Sequence, residues 1–270
     1  YIKTVNEARE KNGLALLSEE EEITVEDSIN ALLDLKEYSL PSLRISAQAD
    51  EEDVSEIFVR VNSGGQKLNE QNFIETLLAV FDNSVHDQID RFCAASRIPA
   101  NGTAYNHILK VDPSHLIRAA VGYGFRRARL KYAYQLMRGK DLKTGAVTAA
   151  TRAENLKIFK ESLDVVMNLN NWHAYLNLFA QAGYITGDFI AGTNAVVYCY
   201  VMYLIGKYAY KVKTADLNKV IIKWIYMTTV TYFYSEMTDS RVESMFADLR
   251  KVKTADEYVQ YLENYISTRF

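Results

Sequence analysis

The chain has 270 residues, of which 49% are hydrophobic and 24% charged, and its formal net charge is −3. That length and apolar content exclude a disordered tail and allow a sizeable core, and the near-neutral balance argues against nonspecific nucleic-acid binding by the whole surface. Only three prolines and twelve glycines separate long periodic segments, so the expected fold is mainly α: a multi-helix array or bundle with at most a short strand near the N-terminus.

The sequence enters at Tyr1 with "YIKTVNEARE", which reads as part of a longer polypeptide and carries no signal-peptide pattern. The acidic run Glu19, Glu20, Glu21 and Glu22 reads as a solvated loop. The following "ITVEDSINALLDL" reads as a helix capped by Thr24, with Glu26 and Asp27 in its first turn. "YSLPSLRIS", 38–46, is the candidate strand, and Pro41 assigns it to an edge. Glu51, Glu52 and Asp53 suit the start of a helix whose buried stripe is Val54, Ile57, Phe58 and Val61. Further helices are expected over 69–81, 113–138, 149–169, 193–210, 214–234 and 239–267, with Asp112 capping the second of these and Pro113 in its first turn. The organisation read from this pattern is an N-terminal region, 1–48, followed by a helical domain, 49–270.

The longest apolar run, "AVVYCYVMYLIG" at 195–206, is too short and too rich in tyrosine for a membrane span and reads as a buried helix. Cys93 and Cys199 lie in apolar contexts far apart, which suits buried reduced thiols and not a disulfide framework or metal site. The hexapeptide "KVKTAD" occurs at 211–216 and again at 251–256, but the sequences after the two copies diverge at once. Two threonine-capped helix starts explain it more simply than a repeat.

Between two helical patterns stands "FVRVNSGGQKLNEQNFI", 58–74. One glycine here would end the first helix, Asn69 would cap the second, and the stripe Phe73, Ile74, Leu77, Leu78 and Phe81 would bury it as a helical hairpin. Two successive glycines after a serine also let backbone N–H groups converge on an anion, next to a favourable helix N-terminus. No Lys-Ser/Thr pair follows, so this is not the phosphate loop of classical nucleotide hydrolases.

The string Ile57-Phe58-Val59-Arg60-Val61-Asn62-Ser63-Gly64-Gly65, followed by Leu68-Asn69-Glu70-Gln71, closely resembles the "IFxRxNSGGxxLNxQ" signature of GmrSD-type restriction proteins. The resemblance implies that 1–48 is the remainder of a ParB-like nucleotide-binding region. It further implies that the chain is the regulatory or sensor part of a nucleotide-dependent system restricting foreign, often modified, DNA. The nucleotide-binding residues it implies are Arg60, Asn62, Ser63, Gly64, Gly65, Asn69 and Gln71, and the cofactor is a nucleoside triphosphate with Mg in the full-length protein. The family also uses an upstream "DGQQR"-like motif and a later histidine-rich nuclease domain, and neither motif stands in these 270 residues. Asn72 occupies a position where the family usually has an acidic residue. His86, His107, His115 and His173 are scattered and match no nuclease pattern, so no catalytic residue and no metal site is assigned. The whole protein is expected to be an NTP-dependent DNA endonuclease, while this chain alone is expected to be inactive. A cytoplasmic location and a homo-oligomer fit the resemblance.

From Lys110 to Lys143 there are nine lysines and arginines against two aspartates. On one continuous helix Tyr123, Leu130, Tyr134 and Met137 would share a face, with Arg127, Lys131 and Arg138 along its flank. The candidate DNA-binding residues are Arg126, Arg127, Arg129, Lys131 and Arg138, held to phosphates in a salt-sensitive contact. Two alternatives remain open: a solvated basic face paired with the acidic segment 19–27 or a neighbouring domain, and a helical protein-interaction or DNA-binding module with no nucleotide site. Most of the nineteen tyrosines, such as Tyr198, Tyr200, Tyr203, Tyr226 and Tyr232, fall in apolar runs and are expected in the core with a satisfied hydroxyl, in preference to base stacking.

Overall fold

The computed structural model describes residues 1–37, 42, 44–46, 83–97, 108–141, 144–190, 192–235 and 238–270. The expected strand over 38–46, save for positions 42 and 44–46 in no regular element, lies outside the described residues, as do the expected helices over 54–61 and 69–81. The protein is mainly α, and among the described residues the only β pairing is an isolated bridge between Lys140 and Val147. The chain forms two compact units, Tyr1–Asp50 and Glu51–Phe270.

In the first unit α1 (Ile2–Lys11) and α2 (Glu19–Asp34) form a hairpin. The acidic run is not a loop but the first turn of α2, because four carboxylates suit the positive end of a helix. Ser18, not Thr24, is the cap: its Oγ accepts the Glu21 N–H at 3.3 Å, and Glu21 Oε2 accepts the Ser18 N–H at 2.8 Å. These bonds hold the Glu21 carboxyl below its usual range, with the backbone bond from Ser18 as the largest cause. Thr24 lies inside the helix and donates to the Glu20 carbonyl at 2.8 Å. Asn6 ties the hairpin, donating to Glu22 Oε1 at 2.9 Å and accepting the Leu17 N–H at 2.9 Å.

The described helices of the second unit are α3 (Asn83–Arg97), α4 (Pro113–Phe125), α5 (Leu130–Met137), α6 (Ala149–Val166), α7 (Leu169–Gln181), α8 (Thr193–Leu204), α9 (Thr214–Val230), α10 (Thr238–Leu249) and α11 (Ala255–Arg269). The run at 195–206 is the buried helix its composition suggested: every residue of α8 from Ala195 to Leu204 is buried, and a π-helical turn, Ile205–Ala209, continues it. Burial on all sides requires neighbours on all sides, and α4, α7 and α9 supply them. Gly124 brings α4 against α6, since a Cβ there would stand 2.2 Å from Ser162 Oγ.

Three buried tyrosines satisfy their hydroxyls on backbone carbonyls. Tyr175 donates to Val196 at 2.6 Å, Tyr200 to Val166 at 3.0 Å and Tyr258 to Met202 at 2.7 Å. Tyr198, Tyr200 and Tyr203 are core residues as expected. Tyr226 and Tyr232 are not: they stand 50% and 64% exposed, because the surface of α9 and its C-terminal turn is left uncovered there. Cys93 and Cys199 are buried thiols in no disulfide, and burial pushes the Cys199 thiol up to about 12.

Two long helical patterns prove to be interrupted, and a third, expected over 149–169, ends early. The one starting at 149 ends at Val166, and Asn168 caps α7 by accepting the Asn170 and Asn171 N–H groups. The one over 239–267 divides at 250–254, where Thr254 forms a capping box with Glu257. In the earlier "KVKTAD" copy Thr214 is already the first residue of α9, and Lys213 is the cap position with no side-chain bond. The threonine cap therefore holds for the second copy alone. The other interruption, at 126–129, shapes the candidate site.

Candidate functional site

Asp112 and Pro113 start α4 as expected: the Asp112 carboxylate accepts the Ser114 N–H at 3.0 Å, and His115 Nδ1 accepts the Asp112 N–H at 3.3 Å. The helix then stops at Phe125, and Arg126 takes a left-handed backbone with φ +54°. No single helix runs over 113–138. Instead Arg126, Arg127, Ala128 and Arg129 form a link between α4 and α5, and the expected basic flank is broken into a corner.

The corner is fastened by α10, more than a hundred residues later. Glu243 is its anchor: Oε1 accepts the backbone N–H groups of Ala128 at 2.8 Å and Arg129 at 3.2 Å, and Oε2 pairs with Arg127 Nη1 at 3.2 Å. One turn earlier Asp239 Oδ1 accepts Arg118 Nη1 at 2.6 Å and the Tyr198 hydroxyl at 3.0 Å. Arg118 also donates to the Tyr198 oxygen at 2.9 Å. Burial opposes the charge on Arg118, but Tyr198 and Asp239 outweigh it and its pKa rises. Burial pushes the Tyr198 phenol far above its ordinary value.

The remaining arginines differ in their surroundings. Arg127 carries a ring as well as its carboxylate, with its guanidinium 4.9 Å from the Tyr132 centroid. Arg129 Nη2 donates to Ser240 Oγ at 2.8 Å. Arg126 lies 5.5 Å from the Tyr123 centroid, and burial lowers its pKa against the pull of Tyr210, Tyr258 and Tyr123. Among the described residues no carboxylate pairs with Arg126 or Arg129. Arg138 stands just beyond α5 and is engaged, not free. The Lys131 side chain lies outside the described residues.

The structure thus brings Arg126, Arg127 and Arg129 together on one link, though not on one helix face. Within this unit the acidic partners are Asp239 and Glu243. Their spacing of four places both on one face of α10, a signal present in the sequence. The expected nucleotide-binding residues Arg60, Asn62, Ser63, Gly64, Gly65, Asn69 and Gln71 lie outside the described residues. No group of acidic, histidine or cysteine side chains suited to a metal ion occurs among the described residues, and no described helix is long and apolar enough to cross a membrane. No protein-family model, curated protein or solved structure matches the chain.

Proposed function

We propose that this chain is the regulatory part of a nucleotide-dependent system that restricts foreign DNA, binding a nucleoside triphosphate at Asn62 to Gly65 and DNA phosphates at the arginine corner. The observation that carries this reading is the string from Ile57 to Gln71, which reproduces the GmrSD-type signature in order and spacing. The corner supports the DNA half, because the guanidinium groups of Arg126 and Arg129 have no carboxylate partner among the described residues. Arg127 is held by Glu243, so its role is to fix the link, while Lys131 and Arg138 are candidate DNA contacts from the sequence pattern alone. The chain binds and relays, and cutting belongs to a nuclease domain of the full-length protein.

The test is to measure nucleotide binding and DNA binding on the same preparation. Replacing Gly64 and Gly65 by valine should abolish nucleotide binding, since side chains would fill the space where backbone N–H groups meet a phosphate. Arg129→Ala should weaken DNA binding on every sequence and reduce the salt slope by about one. A protein that binds neither ligand, or whose binding is unchanged by these substitutions, overturns the proposal.

A second reading draws on the pairing of Arg118 and Arg127 with α10, which removes two cations from the surface. In it the unit is a helical interaction or DNA-binding module with no nucleotide site. Salt-dependent DNA binding that survives both valine substitutions would favour it.

A further inference from the structure

Outside the arginine corner, the second unit holds a cavity of about 530 Å³ where two helices end. Its wall includes Gly183 and Tyr184, just beyond α7, and Thr229, Val230 and Tyr232 at the end of α9. Asp188 and Phe189, from the short 3-10 turn Gly187–Phe189, complete the chemistry.

Each helix closes in a Schellman turn. On α7, Gly183 has φ +96°, its N–H donates to the Ala180 carbonyl at 3.1 Å, and the Tyr184 N–H donates to Phe179 at 2.9 Å. On α9 the same two bonds run from Tyr232 to Thr229 at 3.2 Å and from Phe233 to Thr228 at 3.0 Å. The left-handed position there is Tyr232, with φ +54°, where glycine would be free of strain.

Among the described residues three non-glycine side chains occupy such a backbone: Arg126, Lys211 and Tyr232. Arg126 and Lys211 follow the ends of α4 and of the π turn after α8, and each brings a cation to the negative end of a helix. Tyr232 brings an aromatic ring instead, 64% exposed. Two helix C-termini therefore meet at this cavity, with no basic residue among the described residues of its wall.

The other wall groups favour the same charge. Asp188 is exposed, its carboxylate accepts only a 3.4 Å bond from Thr186, and no cation pairs with it among the described residues. Phe189 is 68% exposed, and Tyr184 packs edge-on against Phe179 at 6.2 Å between centroids. Thr229 Oγ1 is buried without a hydrogen-bond partner; the Tyr184 hydroxyl is near enough to couple to it, but the geometry falls short of a bond. The turn carrying Asp188 and Phe189 is seated against backbone, since a Cβ on Gly187 would stand 2.3 Å from the Ile108 carbonyl oxygen.

We propose that this cavity is a binding site for a small organic ammonium ion, held between the rings of Tyr184, Phe189 and Tyr232 and the Asp188 carboxylate, at the joined C-terminal ends of α7 and α9. Aromatic faces attract a weakly hydrated cation, and the carboxylate and helix ends add the matching field. The proposal is independent of the nucleotide and DNA reading.

The test compares choline with its uncharged isostere 3,3-dimethylbutan-1-ol by NMR titration of the whole chain. Choline should bind at least about tenfold more tightly. Asp188→Asn should weaken choline severalfold and leave the alcohol unchanged. Tyr232→Gly relieves the left-handed strain, so it should raise Tm while weakening choline about tenfold, a combination that loss of folding cannot produce. Equal affinity for choline and the alcohol, no binding of either, or choline binding untouched by both substitutions would overturn the proposal.

Discussion

The α1–α2 hairpin and the helical body solve the problem of staying helical by different physics. Neither α1 nor α2 buries a residue, and Ile23, Leu32, Leu33 and Leu35 stand exposed, so the order of the hairpin comes from the Ser18 capping box and the two bonds of Asn6. In the body, α8 is enclosed by other helices: its Tyr200 donates to the Val166 carbonyl of α6, and Tyr175 of α7 and Tyr258 of α11 donate to its own carbonyls at Val196 and Met202. Local bonds of this sort are worth about 1 kcal/mol each, whereas a buried aromatic is worth several. A short helix that relies on caps is consequently the part of such a chain most open to fraying.

The sharpest test of this contrast is Trp172→Ala. Trp172 is 1% exposed and stacks on Tyr200 at 4.1 Å, and its loss should cost the body about 3–5 kcal/mol by denaturant titration. Next comes Glu243→Ala, which strands two backbone N–H groups and the Arg127 guanidinium; a cost of about 2–3 kcal/mol is expected, and Arg127→Met in the same background should add little. Ser18→Ala should remove about 1 kcal/mol from the hairpin alone, seen as faster amide exchange over 19–34 with no change in the unfolding midpoint of the body. If that substitution shifted the body's midpoint as far as Trp172→Ala does, the distinction between the two regions would fail.

The smallest expected effect is one of pH. Burial lowers the His115 pKa below its ordinary 6.5, Asp112 opposes the shift, and Arg118 reinforces it. The unfolded chain therefore takes up the proton first, so stability present above pH 6.5 is lost as the pH falls through that value towards the folded pKa. His115→Gln keeps a side chain able to complete the capping box and should flatten this part of the pH profile. The Tm difference between pH 7.5 and pH 5.5 measures it.

Much of the body was legible because its signals are local. Asp112 before Pro113, and the apolar run at 195–206, each announce an element within a few residues. The link at 126–129 was not, because it contains neither proline nor glycine; it is held by Glu243, 114 and 115 positions away from the N–H groups it accepts. The basic half of the corner could be read from the arginines, but its acidic half required α10 to be brought alongside. Tyr226 and Tyr232 misled for a related reason: an apolar neighbourhood in sequence predicts burial only if another element arrives to cover it. α7 was not expected at all: the pattern read over 149–169 stops at Val166, and the new helix is marked only by the Asn168 side-chain cap, with no proline or glycine beside it.

Cys199 has no surface exposure, and burial keeps its thiol protonated well beyond neutral pH. A thiol-specific reagent can reach it only after α8 loses its surroundings. The rate at which an alkylating agent modifies this position in native buffer would therefore time the opening of the central helix, so that the protein carries its own clock for global unfolding without any engineered label.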